Sequence, residues 1–574
     1  MSQTTTNSPD ETKSDVSDTH ITPNFRVSGL SNSAVNSHEE EGPRLSISKY
    51  TEALLKSWKE GASKTSTSPN KISVSQTVSF AAFLYEKMRN AVEFREEHLI
   101  RRSTIERILK RRMILNENGR DIAEPLIKEL LWARYYENNT LGEEKINEVQ
   151  AVIDKYFFLR NELTSGRSNK EQEKISKFIL ECLSCEIEEN LSPNPRREAF
   201  INYVYQILHN HISHLSDGGD MERDILVYIA IEKTFTHSDL PLIKYHLLKL
   251  MLPEITKISW KDADKILPNL FDVYQRIDKA INHPFSDKIR NALKKEMPLF
   301  LILRDIFTQN SNTIESILVD ENKLKFKVDE ACRRRYDESR VRLRRTGIRS
   351  FIYILLTKVV FAFIIEIPYD LYIQKTISYM PIIINVAFPP LLMALIIMSV
   401  TIPGDDNTRK IFQLIKEVIS TNPEHFNPLA AITIGRKIKR RGLVFRSIFS
   451  LIYLTTYLIS FGAIIFVLSL LSFNPVSQGI FIFFITLVTF FTFKVIQITQ
   501  EYQVVDKEGI LSPLFDFFFL PIIRVGQWLS GEVLQKFNFL IFFFDFIIEM
   551  PFKAIVEVFD EWVHFIKLKK EEIV

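Results

Sequence analysis

Residues 381–402 read PIIINVAFPPLLMALIIMSVTI and contain no charged side chain. A helix needs about 20 residues at about 1.5 Å each to cross a hydrocarbon core of about 30 Å, and lipid offers no partners for its backbone. Three further apolar stretches approach or exceed that length: Ser350–Ile367, Val444–Phe473 and Gly479–Ile498. The sequence therefore predicts a four-helix transmembrane region made of two hairpins, 347–403 and 444–500.

Basic side chains occur on only one side of these predicted spans. The segment 332–349 carries eight arginines and the loop 403–443 carries eight lysines and arginines, whereas the other two connections carry only Lys375. Cytoplasmic loops are enriched in Lys and Arg. We therefore expect an integral membrane protein, in the plasma membrane or in the inner membrane of a bacterium. Its N-terminus, its basic insert 404–443 and its C-terminus are expected in the cytoplasm.

The first 73 residues are rich in Ser, Thr, Asn and Pro and cannot bury enough apolar surface to fold alone. We predict a disordered tail over 1–73. Within it, a short helix over Ser48–Glu60 would place three apolar side chains on one side: Leu54, Leu55 and Trp58. Either this helix docks on another surface, or these residues are incidental in a flexible linker.

From residue 74 to residue 346, apolar side chains recur at three- and four-residue spacing, which is typical of amphipathic helices. We predict a cytoplasmic all-α domain, either a bundle or a solenoid, because no repeat of fixed length is evident. The low count of 17 glycines disfavours glycine-rich phosphate loops. A net charge of only +3 gives no reason to expect nucleic acid as a partner.

The last segment, 501–574, is dense in phenylalanine but interrupted by proline and by charged side chains. Charged residues recur every four positions from Asp545 to Glu561, which makes one polar stripe on an apolar helix. Helices of that kind lie in the membrane interface or pack on other spans, so we predict amphipathic interfacial helices. The alternative is a fifth span or a re-entrant pair, which would place carboxylates in hydrocarbon at about 3 kcal/mol each.

The basic runs beside the spans have two interpretations. They serve only to set topology, or they also bind anionic lipid headgroups at about 1 kcal/mol per charge near the surface. The candidate headgroup ligands are the cations nearest the predicted spans: Arg342, Arg344, Arg345, Arg436, Lys437, Lys439, Arg440 and Arg441.

Ionisable side chains inside membrane spans are functional candidates by default. The first span contains Lys358 and Glu366, which on a regular helix would lie about 80° and about 12 Å apart and could not pair directly. Pro368 follows closely and predicts a local break in the helix at the glutamate. Lys358 therefore needs either a path along which its side chain snorkels to the interface or a partner elsewhere. The candidates for that partner are Asn385, Asp545 and Glu549.

The soluble part contains one group of zinc-type ligands. Cys182 and Cys185 share a helix face at i and i+3, as do His211 and His214. The two pairs lie further apart along the chain than in a compact zinc finger. Either the four residues bind zinc, or the cysteines belong to the core and the histidines to a polar helix end, in which case no cofactor is expected.

No catalytic motif accompanies these features. We therefore expect a non-enzymatic scaffold, or an envelope or membrane-organising component, whose cytoplasmic helical domain engages anionic lipid and a protein partner. The first alternative is a transporter or channel for a small solute or an ion that uses Lys358 and Glu366. Such a protein would form a homo-oligomer, because four spans rarely enclose a pore alone. The second alternative is a membrane-associated enzyme with the Cys/His metal site.

Overall fold

The computed structural model describes residues 43–61, 70–90, 97–115, 119–209, 212–213, 220–375, 379–398, 400, 402–420, 432–433, 443–505, 512–530, 558, 562, 565 and 566. Regular structure in these residues is helical apart from two isolated β-bridges and one parallel strand pair, β1 (Ile212–Ser213) with β2 (Ile432–Thr433). The predicted all-α fold is therefore confirmed. Residues 1–42 of the predicted tail lie outside the described part of the chain.

Twenty α-helices follow one another in the described residues. They are α1 Lys49–Glu60, α2 Gln76–Asn90, α3 Glu97–Leu115, α4 Ala123–Trp132, α5 Glu144–Thr164, α6 Asn169–Leu191, α7 Pro195–Leu208, α8 Asp220–Thr234, α9 Leu240–Met251, α10 Leu267–Ile281, α11 Ser286–Lys294, α12 Met297–Gln309, α13 Ile314–Val319, α14 Glu321–Phe361, α15 Ile367–Tyr369, α16 Tyr379–Met398, α17 Asp405–Ser420, α18 Leu443–Leu470, α19 Pro475–Thr499 and α20 Ser512–Trp528. Short 3₁₀ turns cover Pro253–Thr256, Trp260–Ile266 and Gln500–Tyr502, and π-helical turns cover Ala362–Glu366 and Asp370–Gln374.

The helical domain is a bundle with one continuous core. Its central helix α6 packs against α3, α5 and α9, which are not all neighbours in sequence, and α1 packs on α7. In a solenoid each repeat contacts only the next one. These non-sequential contacts decide between the two predicted alternatives in favour of the bundle.

Helix α1 is docked on this bundle. The indole of Trp58 lies edge-on to Phe200 and Phe307, with ring centroids 6.1 and 5.4 Å away. The Thr51 hydroxyl is 3.1 Å from the hydroxyl of Tyr203. Of the two alternatives for this segment, docking is the one that the structure has, so the helical domain begins before the predicted boundary at residue 74.

Helix α14 continues from the helical domain into the first predicted span without a break. It has 41 residues, which corresponds to about 60 Å of helix. No proline interrupts it, and Arg335 fixes its domain end through hydrogen bonds of 2.5 and 2.6 Å to the carboxylate of Asp305 on α12. The predicted domain boundary at 346/347 therefore falls inside a rigid helix and contains no linker.

Helix α17 and the chain segment after α19 are also bound to the helical domain. Helix α17, in the predicted basic insert, contributes its apolar face to the core of the domain. At its start, the side-chain amide of Asn407 donates to the Tyr502 carbonyl at 2.7 Å and accepts from the Val504 amide at 2.7 Å. The insert is thus part of the helical domain, and the chain after α19 is bound to the same residue.

Four helices are long and apolar enough to cross a bilayer, as predicted: Glu321–Gln374, Tyr379–Met398, Ser447–Leu470 and Pro475–Tyr502. Helices α14, α16 and α19 pack on one another. Helix α18 makes its main described contacts with α20, which also packs on α19. Helix α20 of the C-terminal segment thus packs on two of the candidate spans. The polar stripe from Asp545 to Glu561 lies outside the described residues.

Close packing of α20 depends on Gly526. A Cβ atom at this position would overlap the backbone of Thr486 and the side chain of Phe490 on α19. On the other side of α20, the Ser460 hydroxyl donates to the Phe518 carbonyl at 3.0 Å, in the turn before Pro521. Proline leaves carbonyl groups of the preceding turn without their usual amide donors, so a hydroxyl from α18 fits there.

We expect Gly526→Val to displace α20 at a cost of about 1–3 kcal/mol, because overpacked contacts force the backbones apart. The measurement is disulfide formation between Ser460→Cys and Phe518→Cys in membranes, which should fall sharply in the valine variant. Gly462→Val is the matched control, since nothing lies within 4 Å of a Cβ at that position. Equal disulfide yields in both valine variants would contradict this packing.

Candidate functional site: a basic cleft and an intramembrane polar cluster

A cleft of about 1900 Å³ lies where the helical domain meets the ends of two spans. Its walls come from α8, α11 and α12 of the helical domain and from the middle of α14 and the last turns of α19. The α14 residues that line it, among them Arg334, Glu338, Arg342, Arg345 and Arg349, recur at three- and four-residue spacing. That spacing places them on one face of the helix.

Positive charge dominates this cleft. Its lining includes three acidic residues, Asp337, Glu338 and Glu501, and eight lysines and arginines: Lys233, Arg290, Lys294, Arg334, Arg342, Arg345, Arg349 and Lys494.

The acidic side chains of the cleft are already bound to other groups. Asp337 pairs with Arg340 at 3.0 Å, Glu338 pairs with Arg335 at 3.0 Å, and Glu501 lies 2.9 Å from the His237 ring. Among the described residues, Arg345 and Arg349 make no ion pair. These two exposed guanidinium groups are therefore available to a ligand.

Titration of the lining residues reflects the excess of cations. Burial and the nearby charge of Arg290 lower the pKa of Lys233. This direction is the one expected in a region of positive potential.

Apolar side chains complete the cleft on the membrane side. Phe491 and Val495 of α19 and Val341 of α14 belong to its lining. Phe491 and Val495 lie in the last turns of a helix that is apolar enough to span a bilayer. A ligand that fits both parts of the lining has an anionic group and an apolar chain.

Only some of the predicted headgroup ligands line the cleft. Arg342 and Arg345 line the cleft, whereas Arg344 is exposed but is not part of its lining. The other five predicted ligands lie outside the described residues: Arg436, Lys437, Lys439, Arg440 and Arg441. Other helices contribute four cations that the sequence did not indicate, namely Lys233, Arg290, Lys294 and Lys494. They are far apart in the sequence, and only the packing of α8 and α11 near α19 reveals them.

A second polar site lies inside the bundle. The ammonium group of Lys358 donates to the side-chain oxygen of Asn385 on α16 at 2.5 Å, and the amide nitrogen of Asn385 donates to Glu366 Oε1 at 2.5 Å. All three residues are at most 1% exposed. The Lys358 ammonium also lies 4.1 Å from the ring centroid of Phe484 on α19. Asn385 therefore joins two charged groups that are eight residues apart on one helix.

Wide helical turns bring Lys358 and Glu366 to the same side. Residues Ala362–Glu366 and Asp370–Gln374 form π-helical turns on either side of Pro368. A π turn contains more residues than an α turn, so eight residues rotate the chain by less than the 80° or so of a regular helix. Only the first of these π turns, Ala362–Glu366, lies between Lys358 and Glu366, and it makes the bridge through Asn385 possible.

Polar contacts continue from this cluster toward the loop before α19. Asp370, one turn beyond Glu366, accepts a hydrogen bond of 2.8 Å from the side chain of Asn474, which caps α19. Asn385 also donates to the Ser477 carbonyl at 3.3 Å. The other two predicted partners of Lys358, Asp545 and Glu549, lie outside the described residues.

The predicted zinc ligands divide between the core and the undescribed part of the chain. Cys182 and Cys185 are at most 1% exposed within α6, and burial raises the pKa of both thiols well above the usual value. Metals bind the thiolate form, which this environment disfavours. Among the described residues, no three metal-ligating side chains cluster. His211 and His214 lie outside them.

Comparison of the chain with family models, with curated proteins and with solved structures finds no match.

Proposed function

We propose that the protein is a membrane-anchored helical platform that binds anionic phospholipid in its basic cleft and so organises the surrounding membrane. The observation that supports this most directly is the lining of the cleft, which combines eight cations with apolar side chains from a span. A phosphate headgroup fits the cations and an acyl chain fits the apolar part. The arginines expected to set cytoplasmic orientation are then also ligands.

The connection between domain and bundle supports a platform. A domain on a single flexible linker moves independently of its anchor. Here α14 continues from one part into the other, and Asn407 at the start of α17 binds the chain after α19. Headgroup binding at this junction would therefore fix the orientation of the whole helical domain relative to the membrane. A protein partner and a homo-oligomer stay predictions from the sequence.

Neutralising two arginines tests the lipid site. We expect Arg345→Gln with Arg349→Gln to weaken binding of phosphatidylglycerol by about 30-fold, since each cation contributes about 1 kcal/mol and 1.4 kcal/mol is tenfold. The measurement is the rise in melting temperature of the full chain in neutral detergent as phosphatidylglycerol is added, because a ligand that binds only the folded state stabilises it.

Arg344→Gln is the matched control for this experiment. Arg344 has the same charge and lies on the same exposed helix, but it is not part of the cleft lining. Stabilisation by phosphatidylglycerol should survive in this variant. An equal loss in the control and in the double variant would show that the arginines of α14 act only through their total charge. Equal stabilisation by soluble glycerol phosphate would show that the cleft binds a soluble phosphate rather than a lipid.

A further inference from the structure

Within the described part of the chain, one carboxylate oxygen of the intramembrane cluster lacks a partner. Glu366 is 1% exposed and its Oε1 accepts from Asn385, but its buried Oε2 accepts no hydrogen bond from any described residue. An unpaired buried acceptor costs about 1–3 kcal/mol, and more when it is charged. In native structures such a group calls for an explanation. A charge pair that only held helices together would use both oxygens.

The depth of the cluster in the bundle is a second argument for a functional role of this oxygen. Lys358 is nine residues beyond Arg349, which is about 13 Å along the helix and near the middle of a hydrocarbon core of about 30 Å. Glu366 and then Asp370 follow toward the opposite end of the bundle. Ionisable groups at such depth mark proton and ion pathways.

A proton fits this site better than a metal cation. Sodium or calcium would need several ligands, whereas the described residues contain no group of three acidic, histidine or cysteine side chains that could hold a metal ion. A proton needs a single acceptor atom with a lone pair.

We propose that Glu366, positioned by Asn385 beside Lys358, is the binding site for a proton that crosses the bundle. A proton entering from one side forms an O–H bond at Oε2, and the same bond breaks when the proton leaves toward the other side. The ammonium of Lys358 offsets the carboxylate charge between these events. This inference is independent of lipid binding in the cleft.

Few other titratable groups surround the glutamate. On its own segment they are Lys358 and Asp370, and Asp370 is held by Asn474. Helix α16 carries no acidic or basic side chain, and α19 carries only Lys494, which lies at the cleft end. Proton uptake at this depth is therefore attributable to Glu366 in the described bundle.

The test is proton flux through the full chain reconstituted in vesicles of neutral and anionic phospholipid. A pH-sensitive dye is trapped inside, valinomycin and potassium hold the membrane potential, and the outside is acidified. We expect wild-type vesicles to acidify faster than empty ones. Glu366→Gln should lower the protein-dependent rate at least tenfold, because the amide cannot take up and release the proton.

Two further variants separate chemistry from folding. Glu366→Asp keeps a carboxyl group and should retain measurable flux, even if its shorter side chain slows the rate. Thr357→Val is the matched control in the same span, because its hydroxyl donates only to its own helix, at 2.9 and 3.0 Å, and its flux should equal wild type. The proposal is overturned if wild-type vesicles acidify no faster than empty ones, or if Glu366→Gln retains the wild-type rate.

Discussion

Replacement of Lys358 by methionine is expected to destabilise the protein by about 3–5 kcal/mol, the usual cost of removing one member of a buried ion pair. Methionine fills a similar volume, so lost packing contributes little. The cost arises because Glu366 and Asn385 stay buried without the ammonium group to which Asn385 is bonded at 2.5 Å. Water cannot replace this partner inside a hydrocarbon core.

The double variant Lys358→Met, Glu366→Gln separates charge from shape. It leaves no uncompensated charge, so most of the lost stability should return, as with other buried pairs replaced by neutral groups. The measurement is unfolding of the full chain in detergent by increasing denaturing surfactant. Thr357→Val is again the control. A single Lys358→Met variant as stable as wild type would show that the pair carries no charge in the folded protein.

The same double variant also distinguishes a structural role from the proposed proton path. It should regain stability but not proton flux, because the carboxyl group is absent. Recovery of both would mean that the cluster only holds helices together.

Glu296 should make the helical domain less stable at neutral pH than at acidic pH. Both of its carboxylate oxygens are buried at the turn between α11 and α12 without a partner among the described residues, and burial raises its pKa from 4.5 to about 7. Between these two values the unfolded chain releases the proton while the folded protein keeps it, so stability falls as pH rises. Above pH 7 the full penalty of about 3 kcal/mol applies, at 1.36 kcal/mol per pKa unit.

Glu296→Gln removes this penalty. We expect the variant to melt higher than wild type at pH 8, by the equivalent of about 3 kcal/mol, and to show almost no difference at pH 4. The measurement is the melting temperature of the full chain across that range. Glu254→Gln, at an exposed position, should change little at any pH. A gain from Glu296→Gln that is the same at pH 4 and pH 8 would contradict an ionisation effect.

The sequence was sufficient to identify the four candidate membrane helices because length and hydropathy alone define them. The four predicted apolar runs overlap Glu321–Gln374, Tyr379–Met398, Ser447–Leu470 and Pro475–Tyr502. It was insufficient for the junction between domain and membrane. The arginine-rich segment before residue 347 was assigned to the end of one domain, but a helix without proline simply continues through it.

The docking of α1 depended on tertiary contacts that no local pattern specifies. Trp58 was visible as an apolar residue on a possible helix, yet its neighbours Phe200 and Phe307 are more than 100 residues away. The cleft also depends on contacts between residues that are distant in the sequence. Arg342 and Arg345 could be proposed from their position beside a span, whereas Arg290 and Lys494 join them only through packing of distant helices.

The intramembrane cluster was predicted in composition but not in geometry. Lys358, Glu366 and Asn385 were recognised because polar groups are rare in such spans. A regular helix would hold the two charged groups apart. The π turn before Pro368 brings them together, and such a turn cannot be derived from residue spacing.

Photolabelling tests the central claim, that the basic cleft binds anionic phospholipid, most directly. The full chain is incubated in membranes with phosphatidylglycerol that carries a diazirine near its headgroup, and the labelled peptides are identified by mass spectrometry. We expect labels on the cleft faces of α14 and α19, near Val341–Arg349 and Phe491–Gln497. These labels should be lost in the Arg345→Gln, Arg349→Gln variant but retained in Arg344→Gln. Labels spread evenly over the lipid-facing surfaces of α16 and α18, unchanged by either variant, would contradict it.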